Sequence, residues 1–126
     1  VASAVVKLMQ RKGITVTGAR ALILGITFKE NTADTRNSRV VDVYSELKDF
    51  GLSVDIYDPI ASSQEVSEQY GIAMLESQPA NLSDYPVVVL AVAHDEFKAL
   101  DLRTGDGRVV YDIKGMLPRE AVDQRL

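Results

Sequence analysis

The feature that most constrains this chain is a continuous apolar run, VVVLAV, at positions 87–92, directly after Pro86. The run contains no polar residue, so a strand formed here has both faces buried. It is far too short to span a membrane. We therefore predict a central strand of a parallel sheet, which requires neighbouring strands and helices that cover both faces.

Strand and helix patterns alternate along the rest of the chain. Apolar or alternating segments predict strands over 21–26, 53–57 and 108–113, and a short one over 72–75. Helical spacing predicts helices over 1–12, 40–50, 62–70 and 94–100, and Pro118 suits the first turn of a C-terminal helix. Ser62 and Glu65 have capping-box spacing, and Gly51 and Gly71 are placed to end helices.

This order predicts an α/β fold: an open, mostly parallel sheet with helices on both faces, comparable to half of a Rossmann fold. Ligands bind such sheets at the carboxyl ends of the strands. The segments that follow the predicted strands are therefore the places to look for chemistry: 27–37, 57–60, 93–96 and 113–116.

Composition narrows the classes of function. The chain has 126 residues, enough for one domain, and no cysteine, which excludes disulfides, zinc-thiolate sites and a thiol nucleophile. Eighteen acidic residues against 14 Lys and Arg give a net charge of −4, which argues against broad nucleic-acid binding. No segment has the pattern of a membrane span or a signal peptide. We therefore expect a cytoplasmic location and no interaction with a membrane.

The loop after the first predicted strand carries the strongest signal. It has one glycine, Gly25, whereas a dinucleotide-binding turn needs three. It also lacks the glycines that precede the lysine in a Walker A loop. No cofactor-binding residue is therefore predicted here. Lys29, Arg36 and Arg39 near a helix start can form an anion site, or they can be solvated surface charges. Phe28 can stack on a planar base or belong to the core.

Two further polar positions follow predicted strands. His94 is the only histidine, and no partner nucleophile or base is evident in the sequence, so a helix-capping or packing role is favoured over catalysis. Asp58, before Pro59, occupies a position where an acidic residue can hold a ribose. Without the glycine loop, a turn-forming role for Asp58 is favoured.

Four segments together resemble a known family. They are GITFKENTADTRNS at 25–38, VDIYDP at 54–59, AVAH at 91–94 and YDIKG at 111–115. In order and spacing they are similar to the C-terminal, UDP-binding domain of the UDP-glucose/GDP-mannose dehydrogenase family. The Glu-Asn-Thr and Arg-Asn-Ser tripeptides in the first segment look most like the sequences of the branch that oxidises UDP-N-acetylhexosamines.

The resemblance implies a larger enzyme that oxidises the sugar C6 alcohol to a carboxylate in two NAD-dependent steps. NAD would be bound by an N-terminal domain absent from this sequence, a cysteine thiol would carry the intermediate, and the intact enzyme would be a homo-oligomer. Residues 1–12 would be the end of a connecting helix and 13–126 the UDP-sugar-binding domain. On its own this chain is expected to be inactive and to bind no cofactor or metal.

The resemblance also implies a substrate-binding set for the UDP-sugar: Phe28, Lys29, Lys114 and Arg36. Lys29 would lie near the phosphates or the sugar. Lys114 occupies a position where the family often has arginine. Lysine keeps the positive charge there but cannot make the two parallel hydrogen bonds of a guanidinium group. Arg36 belongs to the motif, and it can instead pair with Asp34 to hold the loop.

Two alternatives remain open. The chain can be the corresponding domain of a GDP-mannose dehydrogenase, which differs in base recognition. It can also be a stand-alone receiver-like module, but a receiver needs an acidic cluster that binds Mg²⁺, and the first strand here ends in Thr27-Phe28-Lys29.

Overall fold

A five-stranded, fully parallel sheet forms the centre of the protein, in a computed structural model that describes residues 1–126. The strands are β1 (Arg20–Leu24), β2 (Ser53–Tyr57), β3 (Val87–Leu90), β4 (Val109–Asp112) and β5 (Gln124–Arg125). Their spatial order is β2-β1-β3-β4-β5. The predicted central strand is β3, which pairs with β1 on one side and β4 on the other.

Side-chain alternation along the strands divides the core into two layers. Ala21 and Ile23 of β1 face a cluster that includes residues of all three α-helices, whereas Leu22 and Leu24 face a second, smaller cluster. Short 3-10 turns and loops cover that second face, with Phe97 as one of its buried rings. The predicted α/β sheet with helical cover on both faces is confirmed, and 3-10 turns replace α-helices on one face.

Three α-helices cover the larger layer: α1 (Ala2–Arg11), α2 (Val40–Asp49) and α3 (Ser63–Tyr70). The capping signals work as predicted for α3, where Ser62 Oγ accepts the Glu65 N–H at 3.3 Å and Gly71 ends the helix in the left-handed region. Gly51 likewise follows α2 with φ +101°.

Helix α1 is attached to the sheet by packing and by one lysine. Four of its residues are buried in the larger layer: Ala2, Val5, Val6 and Met9. Lys12 Nζ donates to Thr104 Oγ1 and to the Gly105 carbonyl, both at 2.8 Å, and lies 2.7 Å from an Asp123 carboxylate oxygen. The helix and the amino-terminal side of β4 are therefore tied together.

Three predicted elements differ from the structure. Segment 72–75 forms no strand: Ile72 and Met74 are buried as its alternation suggests, but Leu75 N–H to the Ile56 carbonyl is the only strand-like backbone bond it makes. The helix predicted over 94–100 is a 3-10 helix at Asp95–Ala99. Pro118 precedes a 3-10 turn, Arg119–Ala121, and the chain then enters β5, whose two residues carry no recognisable strand pattern.

None of the helices is long and apolar enough to cross a membrane.

Replacing Val89 by aspartate should abolish cooperative folding. Val89 is completely buried in β3, and burying an unpaired charge costs several kcal/mol, comparable to the whole stability of a domain, about 5–15 kcal/mol. Circular dichroism during thermal melting checks this, with Ser53→Asp, which adds the same charge at an exposed strand position, as the control. A soluble, cooperatively melting Val89→Asp protein would contradict the strand assignment.

Candidate functional site

The sheet has a topological switch point between β1 and β3. From β1 the chain runs through α2 to β2 on one side, and the later strands lie on the other side. The connections therefore diverge above the carboxyl ends of β1 and β3, which leaves a crevice in sheets of this kind. An open cavity of about 300 Å³ lies at this point.

The cavity is lined by both apolar and polar residues. Ala91 and Val92, just beyond β3, and Ile113, just beyond β4, supply apolar lining, together with the start of α2. Polar and charged lining comes from four residues on two segments: Thr27, Asn37, Arg39 and Lys114. Such an arrangement fits a ligand with one flat apolar part and one anionic part.

Two of the four predicted site residues lie at this cavity. Phe28 and Lys114 both line it, from the ends of β1 and β4. The Phe28 ring is 60% exposed, which is unusual for a phenylalanine and excludes the core role that the sequence had left open. An exposed ring and an ammonium group without an ion pair thus line one cavity, where they are available for base stacking and phosphate pairing.

The other two predicted residues lie outside the cavity lining. Lys29 is exposed and takes part in no ion pair. Arg36 binds Asp34 through its backbone N–H and Nε, both 3.0 Å from Oδ1, and through Nη2, 3.1 Å from Oδ2. These hydrogen bonds lower the pKa of Asp34 and raise the pKa of Arg36. Arg36 therefore braces its own loop, as one reading of the sequence expected.

Arg39 and Asn37 line the cavity, although neither was among the predicted site residues. Arg39 had been noted only as one of the loop cations. Asn37 has φ +56°, a left-handed conformation that asparagine tolerates better than most residues. Asn37 lies inside the segment that resembles the family motif, and Arg39 is one of the three loop cations, but no sequence signal shows that these two side chains share a cavity with Lys114.

Asp58 forms the turn that the sequence predicted. Its Oδ1 accepts the backbone N–H groups of Ile60 at 2.8 Å and Ala61 at 3.0 Å, which is the Asx pattern of a turn-forming aspartate. The residue is buried, at 4% exposure, so it is not placed to hold a ribose.

The second oxygen of Asp58 joins the ends of three strands. Oδ2 accepts the N–H groups of Ile26 at 2.8 Å and Thr27 at 3.3 Å, both just beyond β1, and it lies 2.9 Å from His94 Nε2, beyond β3. Burial alone would raise the pKa of Asp58. The backbone N–H groups and His94 outweigh it, so the pKa lies below its ordinary value.

His94 is fully buried and fully bonded. Besides Asp58, its Nε2 lies 3.1 Å from Thr27 Oγ1, and Nδ1 accepts the Asn31 N–H at 2.9 Å. The ring packs against Phe97, with centroids 5.5 Å apart. His94 precedes the 3-10 helix, but its side chain makes no capping bond. The His94 side chain therefore does not cap the helix as predicted. None of its hydrogen-bond partners is a candidate nucleophile for catalysis.

The turn after β1 is not a dinucleotide-binding turn. A β-carbon at Gly25 would lie 2.5 Å from Val92 Cβ, so Gly25 serves close packing of β1 against the end of β3. The loop that follows is filled by side chains and brings no second glycine to a pyrophosphate. No three metal-ligating side chains come together.

Comparison with known proteins agrees with this geometry. A sequence profile described as the UDP-glucose/GDP-mannose dehydrogenase family, UDP binding domain, matches residues 22–119. The chain belongs to this family. The match runs from within β1 to beyond β4 and includes ten of the twelve residues that line the cavity, so the receiver-like alternative does not hold.

Named relatives match the whole chain. It is 42% identical to a UDP-N-acetyl-D-glucosamine 6-dehydrogenase of Salmonella typhi and 40% identical to one of Pseudomonas aeruginosa. The chain spans only 30% and 31% of those relatives' lengths.

Solved structures share the fold. A UDP-glucose dehydrogenase from Pyrobaculum islandicum superposes with a TM-score of 0.72 at 29% identity, over 97% of this chain and 28% of that one. A UDP-D-ManNAc dehydrogenase from Pyrococcus horikoshii gives 0.74 at 20% identity, over 98% of this chain and 29% of that one, which indicates the fold alone.

Replacing Asp58 by asparagine should cost about 2–4 kcal/mol, because one amide oxygen cannot serve both sets of N–H donors. Because the folded-state pKa of Asp58 is lowered, its stabilisation is present above the unfolded value of about 4 and is lost as the pH falls through the folded value. Urea unfolding across acidic pH measures both effects. A variant with native stability and an unchanged acid profile would contradict the assignment.

Proposed function

We propose that this chain is the UDP-sugar-binding part of an NAD-dependent UDP-sugar 6-dehydrogenase that acts in the cytoplasm. In this proposal residues 13–126 form the binding domain and 1–12 the end of a connecting helix. The single observation that carries it is the cavity at the switch point, where an exposed Phe28 ring lies beside Lys114 within a UDP-binding family match. The relatives named for UDP-N-acetyl-D-glucosamine favour a UDP-N-acetylhexosamine as the sugar nucleotide.

Each part of UDP has a matching group in this site. The uracil stacks on Phe28, because a planar base gains contact area and dispersion energy on an aromatic face. The diphosphate faces Lys114 and Arg39, which line the cavity, and Lys29, next to Phe28 on the same loop, supplies a further cation. The Arg36–Asp34 pair keeps the loop closed, so Arg36 contributes to the site through the backbone.

The role of this chain in the reaction is positional. It has no thiol, and the turn after β1 is not a dinucleotide-binding turn, so in this proposal the thiol and the NAD site used to oxidise C6 belong to another part of the enzyme. Holding the remote nucleotide uses binding energy to orient the reacting carbon, which lowers the entropic part of the barrier. We expect the chain alone to bind the nucleotide and to oxidise nothing.

An amide-detected NMR titration of the ¹⁵N-labelled chain tests the proposal, because it registers even millimolar binding. UDP should shift the amides of Phe28, Lys29 and Lys114, and NAD should leave them unchanged. GDP should bind more weakly than UDP, and preference for GDP would instead favour the GDP-mannose branch. An unchanged spectrum with millimolar UDP, or shifts confined to another surface, would contradict the proposal.

Alanine variants assign the cations. Lys114→Ala and Lys29→Ala should each weaken UDP binding about fivefold, the effect of losing a solvent-exposed charge pair of about 1 kcal/mol. Melting temperatures should stay unchanged, because both side chains are exposed and take part in no ion pair in the structure.

Lys7→Ala removes an equivalent charge from the exposed side of α1 and serves as the matched control. If a variant at 29 or 114 binds UDP as tightly as this control does, that lysine is not part of the site.

A further inference from the structure

We propose that His94 is a positioning residue for nucleotide binding, which acts by bracketing the turn that carries Phe28 and Lys29. One of its ring nitrogens contacts the residue before this turn and the other contacts a residue just after it. The inference rests on the proposed function, because it assumes that this turn contacts the nucleotide.

Hydrogen-bond partners fix the state of the ring. The Asn31 backbone N–H can only donate, so Nδ1 carries no proton and accepts this bond at 2.9 Å. The Asp58 carboxylate can only accept, so Nε2 carries the proton and donates to it at 2.9 Å. His94 is therefore the neutral Nε2–H tautomer, and either a second proton or the other tautomer would place two donors face to face at Asn31.

The Thr27 hydroxyl extends the same network to the start of the turn. It donates its single proton to the Lys29 carbonyl at 2.9 Å, so its oxygen is left to accept. His94 Nε2, 3.1 Å away, shares its one proton between this oxygen and the nearer Asp58 Oδ2 in a three-centre bond. The backbone of Lys29 is thus linked to His94 through one hydroxyl. Because Thr27 and His94 are both buried, these bonds are shielded from competing water.

Asn31 is the second anchor of the turn. It has φ +59°, a left-handed conformation that needs support from its surroundings. Its N–H is held by His94, and its Oδ1 accepts the Asp95 N–H at 3.1 Å, so both bonds reach the segment beyond β3. Residues 28–30, which are all exposed, span the gap between the anchors. Within this gap the Phe28 N–H donates to the Asp34 carbonyl at 2.6 Å, and the Lys29 carbonyl accepts from the Thr27 and Thr32 hydroxyls.

A packing role alone would not need this arrangement. The ring does fill space against Phe97, and any side chain of similar shape could do so. Only a group with an acceptor at the Nδ1 position can hold the Asn31 N–H. The packing role and the positioning role therefore predict different results for a substitution that keeps a polar atom at the place of one ring nitrogen and removes it at the other.

The geometry can be tested without any ligand. In the ¹⁵N-labelled chain, a scalar coupling across the hydrogen bond should link the Asn31 amide nitrogen to His94 Nδ1, and the Nδ1 chemical shift should be that of an unprotonated nitrogen. A protonated Nδ1 at neutral pH, or no coupling to Asn31, would overturn the inference whatever the chain binds.

Two substitutions then separate the nitrogens. His94→Asn keeps an acceptor near the Nδ1 position, whereas His94→Gln keeps a donor near the Nε2 position and loses the acceptor. We expect His94→Gln to weaken UDP binding about tenfold and His94→Asn to weaken it less than threefold, because only the former leaves the Asn31 N–H unpaired. Both variants should melt at lower temperature, because each leaves a cavity.

Phe97→Leu is the matched control, because it loosens the packing of the His94 ring without touching a bond to the loop. It should lower the melting temperature and leave the UDP affinity unchanged. If wild-type chain binds UDP but all three variants bind it equally, the positioning role is wrong and the proposed function stands. If wild-type chain does not bind UDP, the proposed function fails and this inference fails with it.

Discussion

The buried carboxylate of Asp58 is the interaction on which the functional edge of the sheet depends. It follows β2, accepts N–H groups at the end of β1, and pairs with His94 beyond β3. These three strand ends meet because the sheet is parallel, and their connections leave N–H groups with no partner in the ladder. A single anion satisfies several of them at once and so holds the three strand ends together.

This arrangement separates rigidity from recognition. The buried part of the edge, built on Asp58 and His94, has every polar atom paired and offers nothing to a ligand. The exposed part, with the Phe28 ring and the Lys114 ammonium group, is unpaired and available. Flexible side chains that project from a fixed backbone lose less entropy on binding than a mobile loop would.

Local patterns predicted most of the fold. The apolar run at 87–92 and the amphipathic spacing of α2 each identify their element without tertiary information. Segment 72–75 has the alternating burial of a strand, but no neighbouring strand pairs with it along its length. The two residues of β5 are too few to carry a pattern, and they become a strand only because β4 presents a free edge beside them.

The site was less predictable because its parts are distant in sequence. Phe28 and Lys114 could be identified from strand ends and a family motif, and both line the cavity. The contact between His94 and Asp58 joins residues 36 positions apart, and it depends on how the crossovers place two loops. No local signal shows that a turn-forming aspartate accepts a hydrogen bond from a lone histidine.

The tight contact between Gly25 and Val92 has a consequence for how this sequence can change over time. The two positions are far apart along the chain, yet any side chain at 25 would overlap the one at 92. The residue at 92 therefore limits which substitutions position 25 can accept. A smaller side chain at 92 does not open a route, because the atom 2.5 Å away is the Val92 Cβ, which every residue except glycine carries, and the φ of Gly25, +99°, disfavours any other residue there.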